Sequence, residues 1–101
     1  MIHSHFKHRI EYYRGRKFIV IIDLNIGGKS VTNDIENVVK YIGKTENIDV
    51  NKYLIIYQDT EGTWDAWDPI TETFVLLSEE NYKVAMGKYI AKLSEQYAIS
   101  K

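Results

Sequence analysis

Two runs of five consecutive apolar residues constrain the fold of this chain more than any other feature. They cover residues 18–22 and 53–57, and every position in them is aliphatic or aromatic. An amphipathic helix or a half-exposed strand would interrupt such a run with polar residues. Short runs rich in β-branched residues are typical of strands that are covered on both faces. We therefore expect the two runs to be central neighbours in one sheet, with shorter polar strands at its edges.

Turn-forming residues divide the chain into further strands around these runs. Arg14-Gly15-Arg16 separates residues 9–13 from a strand at 17–23 and predicts a hairpin. The second run is followed by a turn at 58–62 that contains Asp and Gly, and the chain then resumes as residues 63–68 up to Pro69. Residues 71–77 are predicted to form one more short strand.

Two segments carry apolar residues at the spacing of a helix. In the first segment Asn33, with Glu36 three residues later, resembles a capping box, and Gly43 is the expected stop. In the second segment Ser78 is the expected cap, ahead of an acidic first turn. The apolar stripes are Ile35, Val38, Val39 and Ile42 in the first segment, and Tyr82, Met86, Tyr89, Ile90, Leu93 and Tyr97 in the second.

These patterns predict one small α+β domain over residues 1–101, with residues 1–8 as a flexible start. The element order is β-β-α-β-β-β-α, and an antiparallel or mixed sheet is packed by two helices. A chain of 101 residues is long enough to bury a core without a disulfide bond or a structural metal. The absence of cysteine fits a reducing compartment, and no segment has the apolar length of a signal peptide or a membrane span. We expect a cytoplasmic protein that has no contact with membranes.

Charge is distributed unevenly, although the net charge is only −1. Residues 1–17 carry five basic residues against Glu11, a net charge of +4, and residues 58–80 carry seven carboxylates and no Lys or Arg, a net charge of −7. An acidic segment of this size favours a partner with a basic surface and repels nucleic acid. The abundance of Ile, Lys and Asn is typical of AT-rich coding DNA, as in a low-GC bacterium or a virus that infects one. A small phage or bacterial accessory protein would fit this composition.

The main functional hypothesis concerns the two tryptophans of the acidic segment. Trp64 and Trp67 are three residues apart, so a strand points them to opposite faces and one is expected to be exposed between Asp65 and Asp68. An exposed tryptophan among carboxylates is typical of a binding hot spot. We predict a non-catalytic binding or regulatory protein without a cofactor. Its predicted partner-binding residues are Glu61, Trp64, Asp65, Trp67 and Asp68. The alternative that both tryptophans are buried remains open.

Two other functions are weighed against this one. A small metal-dependent hydrolase or nuclease would use Asp59, Asp65 and Asp68, although their spacing does not match a calcium loop. A nucleic-acid-binding module would use the basic N-terminal hairpin, whose aromatic residues could stack on bases. The basic residues of that hairpin are Lys7, Arg9, Arg14, Arg16 and Lys17. The overall negative charge weighs against it.

Three weaker patterns complete the prediction. Gly28-Lys29-Ser30 resembles the end of a phosphate-binding loop, but the glycine required five positions before Gly28 is replaced by Asp23. His3, His5 and His8 are close in sequence, yet no carboxylate near them would support a metal site, and no metal is expected. Two doubly apolar strands with only two helices would leave one sheet face short of cover, so a homo-oligomer is also expected.

Overall fold

The computed structural model describes residues 5–25, 31–59 and 61–99. It confirms the predicted α+β class and element order, with one additional 3₁₀ turn, Val50–Lys52. The strands are β1 (His5–Tyr13), β2 (Arg16–Asn25), β3 (Leu54–Gln58), β4 (Trp64–Asp68) and β5 (Thr73–Glu79). The helices are α1 (Val31–Glu46) and α2 (Tyr82–Ile99).

The five strands form one mixed sheet in the order β1-β2-β3-β4-β5. β2 and β3 are parallel, with Phe18 beside Leu54 and Ile21 beside Tyr57, and every other neighbouring pair is antiparallel. Parallel neighbours require a crossover connection, which α1 provides. The two apolar runs are therefore adjacent central strands, as their composition predicts.

One helix packs on each face of the sheet, which explains why the central strands are apolar at every position. The cluster beside α1 contains Ile19, Ile21, Ile55, Tyr57 and Trp67 with Ile35, Val38, Val39 and Ile42 of the helix. The cluster beside α2 contains Phe18, Val20, Ile56, Trp64, Ala66 and Leu77 with Ala85, Met86 and Tyr89 of the helix. Each large apolar side chain buried in this way contributes about 1.5–3 kcal/mol. Both faces carry a helix, and the part of the α1 face that β5 forms is short of cover, because no residue of β5 belongs to the described cluster beside α1.

The first helix extends beyond the predicted signals at both ends. It begins at Val31, ahead of the expected cap Asn33, and it continues for three residues past Gly43. Asn47 ends it in the left-handed region, with φ of 54°, and the next N–H donates to the Gly43 carbonyl at 3.1 Å. The lack of a side chain at Gly43 serves packing instead, because a Cβ there would lie 3.0 Å from Cγ1 of Val50.

Asn81, not the predicted Ser78, caps the second helix. The Oδ1 atom of Asn81 accepts hydrogen bonds from the N–H groups of Lys83 at 2.9 Å and Val84 at 3.3 Å. Ser78 belongs to β5, and its N–H donates to the Asp65 carboxylate at 3.0 Å. This contact with another strand keeps Ser78 in the sheet, so the local capping signal is overridden.

The predicted flexible start, residues 1–8, is described only from residue 5 onward. β1 begins at His5, and His5, Lys7 and His8 align with residues of β2. Residues 1–4 lie outside the described residues, as does the Gly28-Lys29-Ser30 loop.

Candidate functional site

Both tryptophans of the predicted docking face are buried. Trp64 is 4% exposed and Trp67 is 1% exposed. They lie on opposite faces as expected, Trp64 against Tyr82 of α2 and Trp67 against Phe74 of β5, with ring centroids 5.8 and 5.0 Å apart. The expectation that one of them is exposed is wrong, because β4 has strand neighbours on both sides and a helix on each face of the sheet.

The side chain of Asp65 accepts hydrogen bonds from the neighbouring strand of the sheet. Trp64 of β4 aligns with Glu79 and Ala66 aligns with Val75, so Asp65 alone faces residues 76–78 of β5. Its Oδ1 atom accepts hydrogen bonds from the N–H groups of Leu77 at 2.9 Å and Ser78 at 3.0 Å. The carboxylate therefore satisfies two backbone donors that the irregular register would leave without a strand partner.

Asp59 and Asp68 build the two turns that flank β4. The Oδ1 atom of Asp59 accepts from the N–H groups of Glu61 at 2.9 Å and Thr63 at 3.0 Å. The Oδ1 atom of Asp68 accepts from the two N–H groups that follow Pro69, at 2.9 and 3.4 Å. Aspartates are favoured in turns because they bond to the backbone just ahead of them in this way.

The three aspartates therefore do not form the single site that a metal-dependent hydrolase requires. Asp59 precedes β4 and Asp68 is the last residue of that five-residue strand, which spans about 13 Å. Among the described residues, no group of three His, Cys, Asp or Glu side chains converges to hold a metal ion. His3 lies outside the described part, and the Nε2 of His8 lies 3.7 Å from Oε1 of Glu46.

The exposed apolar side chains near β4 lie on the neighbouring strand, β5. Leu76 is 73% exposed and Phe74 is 39% exposed, whereas Leu77 is fully buried. A shallow cavity of about 210 Å³ lies beside them and is lined by Tyr57, Asp65, Phe74, Val75 and Leu76. We call these five residues the acidic edge. No residue of β5 belongs to the described cluster that α1 covers, which explains the exposure.

The electrostatic environment of the acidic edge is negative. Asp65 is the one charged residue among the described residues that line its cavity. Burial, followed by the charges of Asp65 and Asp59, raises the pKa of Tyr57 well above its ordinary value, which keeps the phenol neutral. At one end of β5, Glu79 pairs with Lys88 of α2 at 3.1 Å. The surface therefore combines exposed apolar atoms with a surplus of negative charge.

Several of the basic residues of the nucleic-acid hypothesis lie beside α2, where they make different contacts. Arg9 contacts the Glu11 carboxylate, and its guanidinium lies 5.1 Å from the centroid of the Tyr82 ring. Arg14 lies 5.1 Å from the ring of Tyr13 and lines a cavity against α2. The other three are Lys7 on β1, and Arg16 and Lys17, which line a different cavity at the start of β2.

The sequence hypothesis missed the exposure of Phe74 and Leu76. The available signal was four consecutive apolar residues, 74–77, in the last strand of the predicted element order. An edge strand has cover on fewer sides than a central strand, so such a run cannot be buried at every position. Among the described residues, no helix is long and apolar enough to span a membrane. Searches of family models, curated proteins and solved structures found no match to this chain.

Proposed function

We propose that this protein is a non-catalytic binding protein and that it engages a protein partner through the acidic edge. The observation that carries the proposal is the 73% exposure of Leu76 beside a shallow cavity on the outermost strand. Isolated apolar residues on a surface are common, but here Leu76 adjoins Phe74 and the Tyr57 ring. An apolar side chain of the partner is expected to occupy the cavity.

The charge around the cavity selects the partner. Asp65 lines it, and the charges of Asp65 and Asp59 both act on Tyr57 in its wall. Lys or Arg side chains placed beside the partner's apolar residue would face these carboxylates. Such complementarity accelerates association and excludes acidic competitors. The proposed ligand is therefore a segment that carries an apolar residue flanked by basic ones.

The same charge disfavours a symmetric contact between two copies of this chain. A two-fold interface would place the acidic edge of one copy against that of the other. Both sides would contribute the same all-acidic segment, and like charges brought together across an interface are costly. A different protein with a basic surface fits the acidic edge better.

Selection from a displayed library of random peptides tests this proposal without knowledge of the natural partner. We expect the selected peptides to combine Lys or Arg with an apolar residue, and their binding to weaken as salt is added. Leu76→Lys removes the apolar contact, worth about 1.5–3 kcal/mol when fully buried, and adds a repelling charge. This variant should bind the selected peptides at least about tenfold more weakly.

Val84→Lys is the matched control, because it places the same charge on a half-exposed apolar position of α2 outside the acidic edge. This variant should bind the peptides as the unaltered protein does. Equal losses in the two variants would show that net charge, and not the acidic edge, governs binding. Selection of acidic peptides would contradict the proposal directly.

A further inference from the structure

A second cavity lies away from the acidic edge, at the end of the sheet where β2 and β3 begin. Its volume is about 370 Å³, within the range of small-molecule sites. The walls come from five separate parts of the chain: the start of β2, the 3₁₀ turn, β3, the turn after β4, and α2. Apolar side chains, including Leu54, Ile70 and Leu93, form much of its surface. The cavity is therefore a product of the tertiary fold.

Three cations line this cavity. Arg16 and Lys17 come from β2 and Lys52 comes from the 3₁₀ turn, and the only carboxylate in the lining is Asp68. Within the described residues none of the three cations forms an ion pair, although Lys17 Nζ lies 5.6 Å from the Tyr53 ring centroid. Three cations against one carboxylate leave a net charge of +2 at the cavity.

The same wall contains a buried hydroxyl group that lacks a hydrogen-bond partner among the described residues. Tyr89 of α2 lines the cavity and is 2% exposed, and its hydroxyl forms no hydrogen bond with any described residue. Burial, followed by the charge of Asp68, raises the pKa of Tyr89, so the group remains a hydrogen-bond donor. Buried polar groups are nearly always satisfied in folded proteins. An acceptor inside the cavity would satisfy this one.

We propose that this cavity binds a phosphate monoester carried on an apolar body. A phosphate dianion matches the charge of +2, and Arg16 supplies the planar donor pair that binds phosphate oxygens in bidentate fashion. Lys17 and Lys52 contribute further charge, and the Tyr89 hydroxyl donates to the ligand. The apolar body lies against Leu54 and Leu93. This site is independent of the acidic edge and of the protein partner proposed for it.

Titration with phenyl phosphate, followed by NMR of the backbone amides, tests the proposal. We expect saturable shifts centred on residues 16, 17, 52 and 54, with weaker binding of inorganic phosphate and none of phenol. Arg16→Gln and Lys52→Gln should each weaken the binding of phenyl phosphate by about tenfold or more, as expected for a lost charged hydrogen bond. Tyr89→Phe removes only the hydroxyl and should also weaken binding.

Lys44→Gln is the control, since it removes the same charge from an exposed position on α1 outside the cavity. This variant should bind phenyl phosphate unchanged. Thermal unfolding of each variant separates a folding defect from a binding defect, and the exposed Arg16 position keeps the test valid if Tyr89→Phe is unstable. An absence of saturable shifts, or equal weakening by Lys44→Gln and Arg16→Gln, would overturn the proposal.

Discussion

β4 and β5 are neighbours in one sheet, yet β4 buries its large apolar residues whereas β5 exposes two of its own. β4 buries Trp64 and Trp67, the residues whose type most suggests a binding surface. β5 buries Leu77 but exposes Phe74 and Leu76, which look ordinary in the sequence. The difference is position, because β4 has a strand on either side whereas β5 is the last strand of the sheet. In these two strands, exposure follows sheet order more closely than residue type.

The largest effect that follows from this comparison concerns stability. Trp67→Ala should lower the free energy of unfolding by about 3–5 kcal/mol, because it removes a buried aromatic side chain and leaves a cavity. Leu76→Ala, on the exposed strand, should change it by less than about 0.5 kcal/mol. Urea unfolding of the two variants measures both quantities. Similar small losses in both variants would mean that β4 does not belong to the core.

A smaller loss of stability should follow from removal of the Asp65 side chain, which joins β4 to β5. Asp65→Ala leaves the N–H groups of Leu77 and Ser78 without their acceptor, and we expect a loss of about 1–2 kcal/mol in the same measurement. Glu61→Ala is the control, because Glu61 has an exposed side chain in the turn before β4 and should cost less than about 0.5 kcal/mol. An equal cost for the two variants would remove the structural role assigned to Asp65.

The third effect is a dependence of the free energy of unfolding on pH. The pKa of Tyr57 is raised in the folded protein, so the unfolded chain ionises first, from its ordinary pKa near 10. The free energy of unfolding should therefore fall as pH rises above about 10, by at most about 1.4 kcal/mol per pH unit for each such tyrosine. Tyr57→Phe should flatten this fall, and Tyr57→Phe with Tyr89→Phe should flatten it further. An unchanged slope in both variants would contradict the burial of these phenols.

The sequence was sufficient to predict the sheet interior and insufficient to predict element ends. Residues 18–22 and 53–57 are apolar at every position, which is typical of strands covered on both faces, and the structure places them side by side. Ser78 and Asn81 are both good cap residues, and the choice between them depends on Asp65, which is distant in sequence. Local signals therefore fail where a tertiary contact decides the outcome.

The candidate sites were harder to predict for the same reason. Whether Trp64 or Leu76 is exposed depends on which strand ends the sheet and on where each helix packs, and neither is encoded in the acidic segment itself. The phosphate site combines Arg16, Lys52 and Tyr89, which are far apart in sequence and form no motif. Charge asymmetry was the one local signal that identified the acidic region in advance.

Chemical-shift mapping with a selected basic peptide tests the central claim most directly, because it reports on β4 and β5 in one experiment. The chain has two tryptophans, so two indole N–H signals report on β4, while the methyl signals of Leu76 and Val75 report on β5. We predict that the methyl signals shift to saturation and that the indole signals remain in place. Indole shifts as large as those of Leu76, or shifts concentrated in β1, would show that the acidic edge is not the binding surface.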